Sequence, residues 1–229
     1  MQFLEKYRRE YKLISATTAS IFTSLFIEKY ASLFKDKTLA YVTIVVFVII
    51  IVAIGNSILD YVIDESVKVR KLLLGKHFIE GYWYDLSIDK TTKSIKHGVV
   101  FKIDYNKGSY ELHGISYNRD GERIATWKSI SCTFLENVLF VQYESHTEYS
   151  ATFIEHGVLQ MQFETPANSY TGFYFDFSNS IKYIIAGRRI GDNLLKQYNN
   201  FSDTSDKESF LDEIMKKEEE NAKRKFQTG

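Results

Sequence analysis

The run from Leu39 to Leu59, LAYVTIVVFVIIIVAIGNSIL, carries no charged residue over 21 positions. Its centre, Ile44 to Ile54, holds only β-branched, aromatic or alanine side chains. At about 1.5 Å per residue, a helix of this length spans roughly the 30 Å of a bilayer's hydrocarbon core. The Val/Ile content alone suggests a strand, but a strand runs to only about 5–6 residues. A soluble helix in a chain of 229 residues has no reason to be apolar on every face. The stretch therefore predicts a membrane-spanning helix rather than a buried core helix, here bounded as residues 38–59.

Upstream, residues 1–12 are polar and carry Lys6, Arg8, Arg9 and Lys12. Leu13 to Ile27 is uncharged but rich in Ser and Thr. A signal peptide is the rival reading. Glu5 and Glu10 in the leading segment, and the lack of a small-x-small cleavage site before Glu28, argue against it. A second membrane helix over residues 13–34 is predicted instead, joined to the first in a hairpin by a loop around Lys35-Asp36-Lys37. Ala16, Ser20 and Ser24 recur at i, i+4 and i+8, which places three small residues on one helix face. Small faces let membrane helices approach closely, so these three are candidates for helix association and oligomerisation. Chance abundance of small residues explains the pattern about as well.

Charge supports a membrane-proximal start. Residues 1–77 carry 11 basic and 7 acidic side chains, whereas the whole chain balances at 29 of each. That balance gives no signal for a nucleic-acid polymer. The positive-inside bias is weak but places both termini in the cytoplasm. The single cysteine, Cys132, excludes an intramolecular disulfide and fits a reducing compartment. Residues 60–77 read as a helical stalk, with Asp64 and Lys68 spaced i, i+4 and Gly75 placed as a helix C-cap.

From residue 78 to 191 the period changes to that of strands. Nine candidates appear: Gly81–Ile88, Gly98–Tyr105, Ser109–Tyr117, Arg123–Thr133, Val138–Tyr143, Tyr149–Ile154, Val158–Glu164, Ser169–Phe177 and Lys182–Ile190. Asn106-Lys107-Gly108, Asn118-Arg119-Asp120-Gly121 and Glu155-His156-Gly157 supply hairpin chemistry. The expected fold is membrane-anchored and all-β: a transmembrane hairpin, then a compact antiparallel meander closing into a barrel of about eight strands. Closure removes exposed edges, and an open sandwich is the runner-up. Gly81-x-Trp83 at the start and Arg188-Arg189 at the end resemble the lipocalin signature, in which Trp plugs the barrel base and Arg packs across it. The tail, residues 192–229, is charged, and Ser205 with Glu208 fits a capping box opening a helix.

Chemistry-bearing motifs are sparse. No phosphate-cradling glycine loop, metal-ligand spacing or nucleophile elbow occurs, so neither an enzyme nor a metal or cofactor site is expected. His97, His113, His146 and His156 are scattered singly and read as surface or hydrogen-bonded residues. Asp85, Asp176 and Glu111 would meet only if the barrel brought them together.

Two N-terminal spans before a compact barrel resemble the two-transmembrane β-barrel effectors of CBASS anti-phage systems, which are associated with CD-NTase enzymes. The similar patterns are Gly81-Tyr82-Trp83, Tyr110-x-Leu112-x-Gly114-x-Ser116-Tyr117, Gly121, Trp127-x-Ser129, Tyr170-Thr171-Gly172-x-Tyr174-x-Asp176 and Gly187-Arg188-Arg189, spread over about residues 10 to 190. The resemblance implies a cytoplasmic barrel that senses a cyclic dinucleotide made by a CD-NTase. It further implies homo-oligomerisation that disrupts the bacterial inner membrane. Such a ligand needs cations or amides for its phosphates and flat faces for its bases. Tyr117, Arg123, Trp127, Tyr170, Tyr174 and Arg188 are the residues expected to supply them, Arg123 and Trp127 sharing a strand face with Ala125, Ser129 and Ser131. Two rivals stand beside this reading: a lipocalin-like anchored barrel binding a lipid or other small ligand, and, less favoured, a membrane-bound enzyme.

Overall fold

A computed structural model of the chain describes residues 2–30, 37–88, 95–118, 122–148, 154–178 and 182–191. The chain divides into two compact units, Met1–Gly75 and Lys76–Gly229.

The first unit is helical. α1 (Gln2–Tyr30) and α2 (Lys37–Glu65) pair antiparallel, and α3 (Val67–Leu74) follows. From Thr38 to Glu65, α2 is long and apolar enough to cross a membrane, and none of its most apolar window is buried inside the protein. A core helix would hide that surface. Instead Val46, Phe47, Ile50 and Ile54 are all exposed, which suits a lipid surround. On α1 the half-buried positions Ser15, Ala19, Thr23 and Ile27 repeat at four-residue spacing, matching Ile44, Val48, Val52 and Asn56 on α2. Small side chains on α1 thus allow the pair to pack. Hydroxyls inside these helices bond back along their own backbone: Thr23 Oγ1 donates to the Ala19 carbonyl at 2.7 Å and Ser57 Oγ to that of Ala53 at 2.9 Å.

Polar pairing fixes the register at one end of the helix pair. Arg8 bonds the Asp64 carboxylate, Tyr11 donates to Asp60, and Lys12 lies 2.9 Å from Asp60. The expected continuous stalk over 60–77 is corrected to two pieces. Helix α2 ends at Glu65, and Ser66, in extended geometry, caps α3 by accepting from the Val69 amide. Arg70 is buried, and its guanidinium donates to the carbonyls of Ile63, at 3.0 Å, and Asp64, at 2.5 Å, so the last turn of α2 is satisfied by a side chain. Gly75 closes α3 with φ of 51°, as its place in the sequence predicts.

The second unit is a closed, eight-stranded antiparallel barrel in simple meander order: β1 (Gly81–Ile88), β2 (Ile95–Asn106), β3 (Ser109–Tyr117), β4 (Arg123–Leu135), β5 (Val138–Thr147), β6 (Ile154–Phe163), β7 (Ser169–Asp176) and β8 (Lys182–Arg189), with β8 pairing back onto β1. The Lys107-Gly108 turn joins β2 to β3 with φ positive at both residues, the geometry that a two-residue hairpin requires. Nine expected strands become eight. Glu155-His156-Gly157 is not a turn but the start of β6, paired to Tyr143, Glu144 and Ser145 of β5. The Tyr149–Ile154 candidate lies outside the described residues except for Ile154, where β6 begins. The charged tail over 192–229 lies outside them too.

One end of the barrel is a solid apolar plug. Trp83 is fully buried, donates its indole N–H to the Ile79 carbonyl at 2.8 Å, and meets Phe163 edge-on at 5.1 Å. Phe101, its partner on β2, together with Ile103, Leu112, Leu139 and Met161, are all at most 2 % exposed and belong to the same buried apolar core. Of the two closing arginines, Arg189 lies across Trp83, 4.8 Å from its ring, and donates to the carbonyls of Phe78, Glu80 and Ala167. Gly81, at φ 122°, lies against that guanidinium.

Candidate functional site

Trp83, Asp85 and Ser87 alternate on the inner face of β1, so the chain runs from plug to open half in two steps. Above the plug the lumen opens into a cavity of about 370 Å³, with Asp85, His97, Trp127, Tyr143, Tyr174 and Asp176 among its lining. Ser116, Ala125, Ser145, Thr147, Glu155, Leu159 and Tyr183 also stand in its walls, and Val99 and Ile124 complete them. Small residues leave the space, and aromatic rings supply flat faces.

Two of those rings, and that of Tyr170 beneath them, are placed by glycines on a neighbouring strand. Trp127 lies over Gly114, its paired residue on β3; Tyr143 lies over Gly157, its pair on β6; Tyr170 lies over Gly187, its pair on β8. A Cβ at any of these glycines would overlap the ring. Each ring can therefore lie flat against backbone instead of projecting into the lumen, a cross-strand arrangement open only to glycine.

The polar groups form a connected set. Tyr170 donates to Asp85 Oδ2 at 2.5 Å, Tyr174 and Ser87 contact His97 Nε2 at 2.6 and 3.1 Å, and Tyr143 donates to Asp176. Burial pushes the Asp85 carboxyl up to about 7, against the Tyr170 hydrogen bond that favours its ionised form. Burial likewise pushes His97 down to about 4, so the imidazole is neutral at physiological pH. The same desolvation, together with the Asp176 carboxylate, raises the Tyr143 phenol. Asp85 Oδ1 is buried and has no hydrogen-bond partner among the described residues. Among the described residues no Lys or Arg lines this cavity, whereas Asp85, Glu155 and Asp176 all do.

The residues expected from sequence divide accordingly. Trp127 and Tyr174 line the cavity. Tyr170 lies beneath it, holding Asp85. Tyr117 is fully buried but pairs with Gly98, the outward-facing neighbour of His97 and Val99, and packs with Tyr84, Val100 and Ile190 instead. Arg123 is exposed, 2.7 Å from Glu148, and is not in the lining; Arg188 is exposed while Arg189 takes the inward place. Tyr117 faces out by plain alternation from Ser116, and Arg188 by alternation from Arg189, whereas the register shifts opposite Ser116/Tyr117 and at Ser129/Ser131 explain Arg123 and Ser131. Each is a bulge that reverses inward and outward beyond it, so strict alternation from Trp127 fails at both ends of β4. Ser131 points out to Gln142, while Cys132 and Phe134 turn in. Of the three acids, Asp85 and Asp176 meet in the cavity, and Glu111 bonds Asn106 elsewhere. His97, Tyr143, Ser145, Glu155 and Tyr183 were missed, although even spacing from the Trp83 plug marks the inward face of β1 and its partners. The helix residues Ala16, Ser20 and Ser24 are exposed on α1, on a different face from the Ser15–Ala19–Thr23 stripe that meets α2.

The fold is a closed meander β-barrel that encloses a cavity, in a chain with one helix, among the described residues, long and apolar enough to cross a membrane. No protein-family model matches the sequence, and no curated protein is significantly similar to it.

Proposed function

We propose that this protein is the effector of a CBASS anti-phage system: its barrel senses a cyclic dinucleotide, and its helices then disrupt the inner membrane. One observation carries the reading. A lumen with flat aromatic walls and hydrogen-bonding groups, closed at one end by an apolar plug, belongs to a chain whose α2 is long and apolar enough to cross a membrane. In this reading α1 is the second span, both termini and the barrel are cytoplasmic, and the protein catalyses no reaction. Occupancy of the lumen drives homo-oligomerisation through the exposed Ala16–Ser20–Ser24 face. Base stacking on Trp127 and Tyr174 supplies on the order of 1–3 kcal/mol per base.

The acidic lining favours one rival, a lipocalin-like anchored barrel that takes a neutral or cationic small ligand and has no defence role. Dye release from vesicles containing the full-length protein separates the two. The effector reading expects leakage on addition of one or more members of a cyclic di- and trinucleotide panel. Intact vesicles with every member, at confirmed protein insertion, contradict it.

A further inference from the structure

Resting on the proposed nucleotide reading, we infer that the lumen takes one nucleobase, donor edge first, with Asp85 as its specificity-determining acceptor and the phosphates left outside. The base is recognised by its N–H groups, not by its charge.

Size is the first argument. A space of about 370 Å³ equals roughly a dozen waters at about 30 Å³ each, enough for a purine of about ten non-hydrogen atoms but not for a cyclic dinucleotide of about forty-five. Charge is the second. A phosphate brought among Asp85, Glu155 and Asp176 would meet three carboxyl groups and no Lys or Arg of the described lining. Like charges in a poorly solvated site repel strongly. An uncharged heterocycle meets no such penalty, and Trp127, Tyr143 and Tyr174 offer it ring faces.

Hydrogen bonding is the third argument and gives direction. Above about pH 7, where Asp85 is ionised, its Oδ2 accepts from Tyr170, whereas buried Oδ1 accepts from none of the described residues. Leaving a buried acceptor unmade is costly, so a native ligand is expected to bring a donor to it. An exocyclic amino or ring imino N–H is such a donor. Tyr143 is turned to Asp176 and Tyr174 to His97, so these hydroxyls are engaged, and among the described lining residues Asp85 alone has a buried oxygen without a partner.

Replacing Asp85 by Asn tests this without changing its shape. With Tyr170 still donating, the amide oxygen takes the Oδ2 place and the NH₂ group takes that of Oδ1, turning an acceptor into a donor. Above about pH 7, so that Asp85 is ionised, full-length protein in detergent, parent and Asp85→Asn, is titrated with cyclic di-GMP, cyclic di-AMP and cyclic GMP-AMP, and with guanosine and adenosine as phosphate-free probes. The inference expects at least a ten-fold loss of affinity in Asp85→Asn for the cyclic dinucleotide that the parent prefers, and a parallel loss for the nucleoside carrying that base. Equal binding and unchanged base preference in a folded Asp85→Asn variant overturn donor-edge docking while the nucleotide reading survives. Nucleoside binding that depends on Asp85, with no cyclic dinucleotide bound, overturns the nucleotide reading while the base pocket survives. If the parent binds none of the five probes, both fall.

Discussion

At the scale of single residues, two arginines next to each other have opposite fates. Arg189 satisfies three backbone carbonyls and covers Trp83, so Arg189→Ala leaves buried acceptors unpaired and is expected to destabilise the barrel by on the order of 3 kcal/mol. Arg188 is exposed, and Arg188→Ala is expected to stay within about 0.5 kcal/mol. Urea unfolding of both variants checks the contrast, and similar losses would contradict it. The lumen makes a second prediction through pH. Unfolded, an Asp ionises near 3.9 and a His near 6.5. Folded, Asp85 holds its proton up to about 7 and His97 stays neutral down to about 4. Between about pH 4 and 6.5 the unfolded chain keeps a proton on the His and the folded chain keeps one on the Asp, so the two contributions cancel. Removing either partner exposes the other. Asp85→Asn should lose stability as pH falls from 6.5 to 4; His97→Gln should lose it as pH rises from 4 to 7, each by on the order of 3 kcal/mol. Denaturant midpoints across that range are the measurement, and flat profiles in both variants would refute the assignment.

At the scale of elements, the strands were legible because their signals are local. Alternation and Gly-bearing turns need only neighbouring residues, and eight of the nine candidates each fall on one of the eight strands. What local signals lack is the pairing partner. The Glu155-His156-Gly157 tripeptide has turn chemistry, yet Gly157 sits inside β6 because Tyr143 needs the space across the pair. The two β4 bulges displaced Arg123 and Ser131 from the lumen for the same reason: a one-residue insertion is invisible in a single strand's pattern. The Gly114·Trp127 and Gly187·Tyr170 pairs likewise lie in separate stretches of sequence that only the sheet register joins. Backbone crowding sets a further prediction. A methyl at Gly172 would overlap the carbonyl oxygen of Gln160, which is backbone and cannot rotate away, so Gly172→Ala should separate β6 from β7 and cost more than about 2 kcal/mol. At Gly114 the added methyl meets only the Trp127 side chain, so Gly114→Ala is expected to keep the fold and weaken ligand binding. Circular dichroism and titration of the two variants distinguish these outcomes; wild-type stability of Gly172→Ala would contradict the register.

At the scale of the whole molecule, each unit has its own internal logic. The barrel has a closed sheet and a plugged core, so residues 76–229 are expected to be soluble and predominantly β when expressed alone. The helices present two small-residue stripes, and only one is covered. Ala19→Leu enlarges the stripe that meets α2 and should disturb the helix pair itself. Ala16→Leu and Ser20→Leu enlarge the exposed stripe and should reduce killing at matched membrane levels while ligand binding persists; undiminished killing by both would remove that face from the account. The central claim is that the ligand enters the barrel lumen. Of the chain's two tryptophans, Trp83 is sealed in the plug and Trp127 lines the cavity, so intrinsic fluorescence reports the lumen directly. Titrating the full-length protein with the cyclic dinucleotide that triggers vesicle leakage should change tryptophan emission saturably. The change should vanish in Trp127→Phe and persist in Trp83→Phe. A ligand that triggers leakage without altering Trp127 emission would place the site outside the lumen and contradict the account.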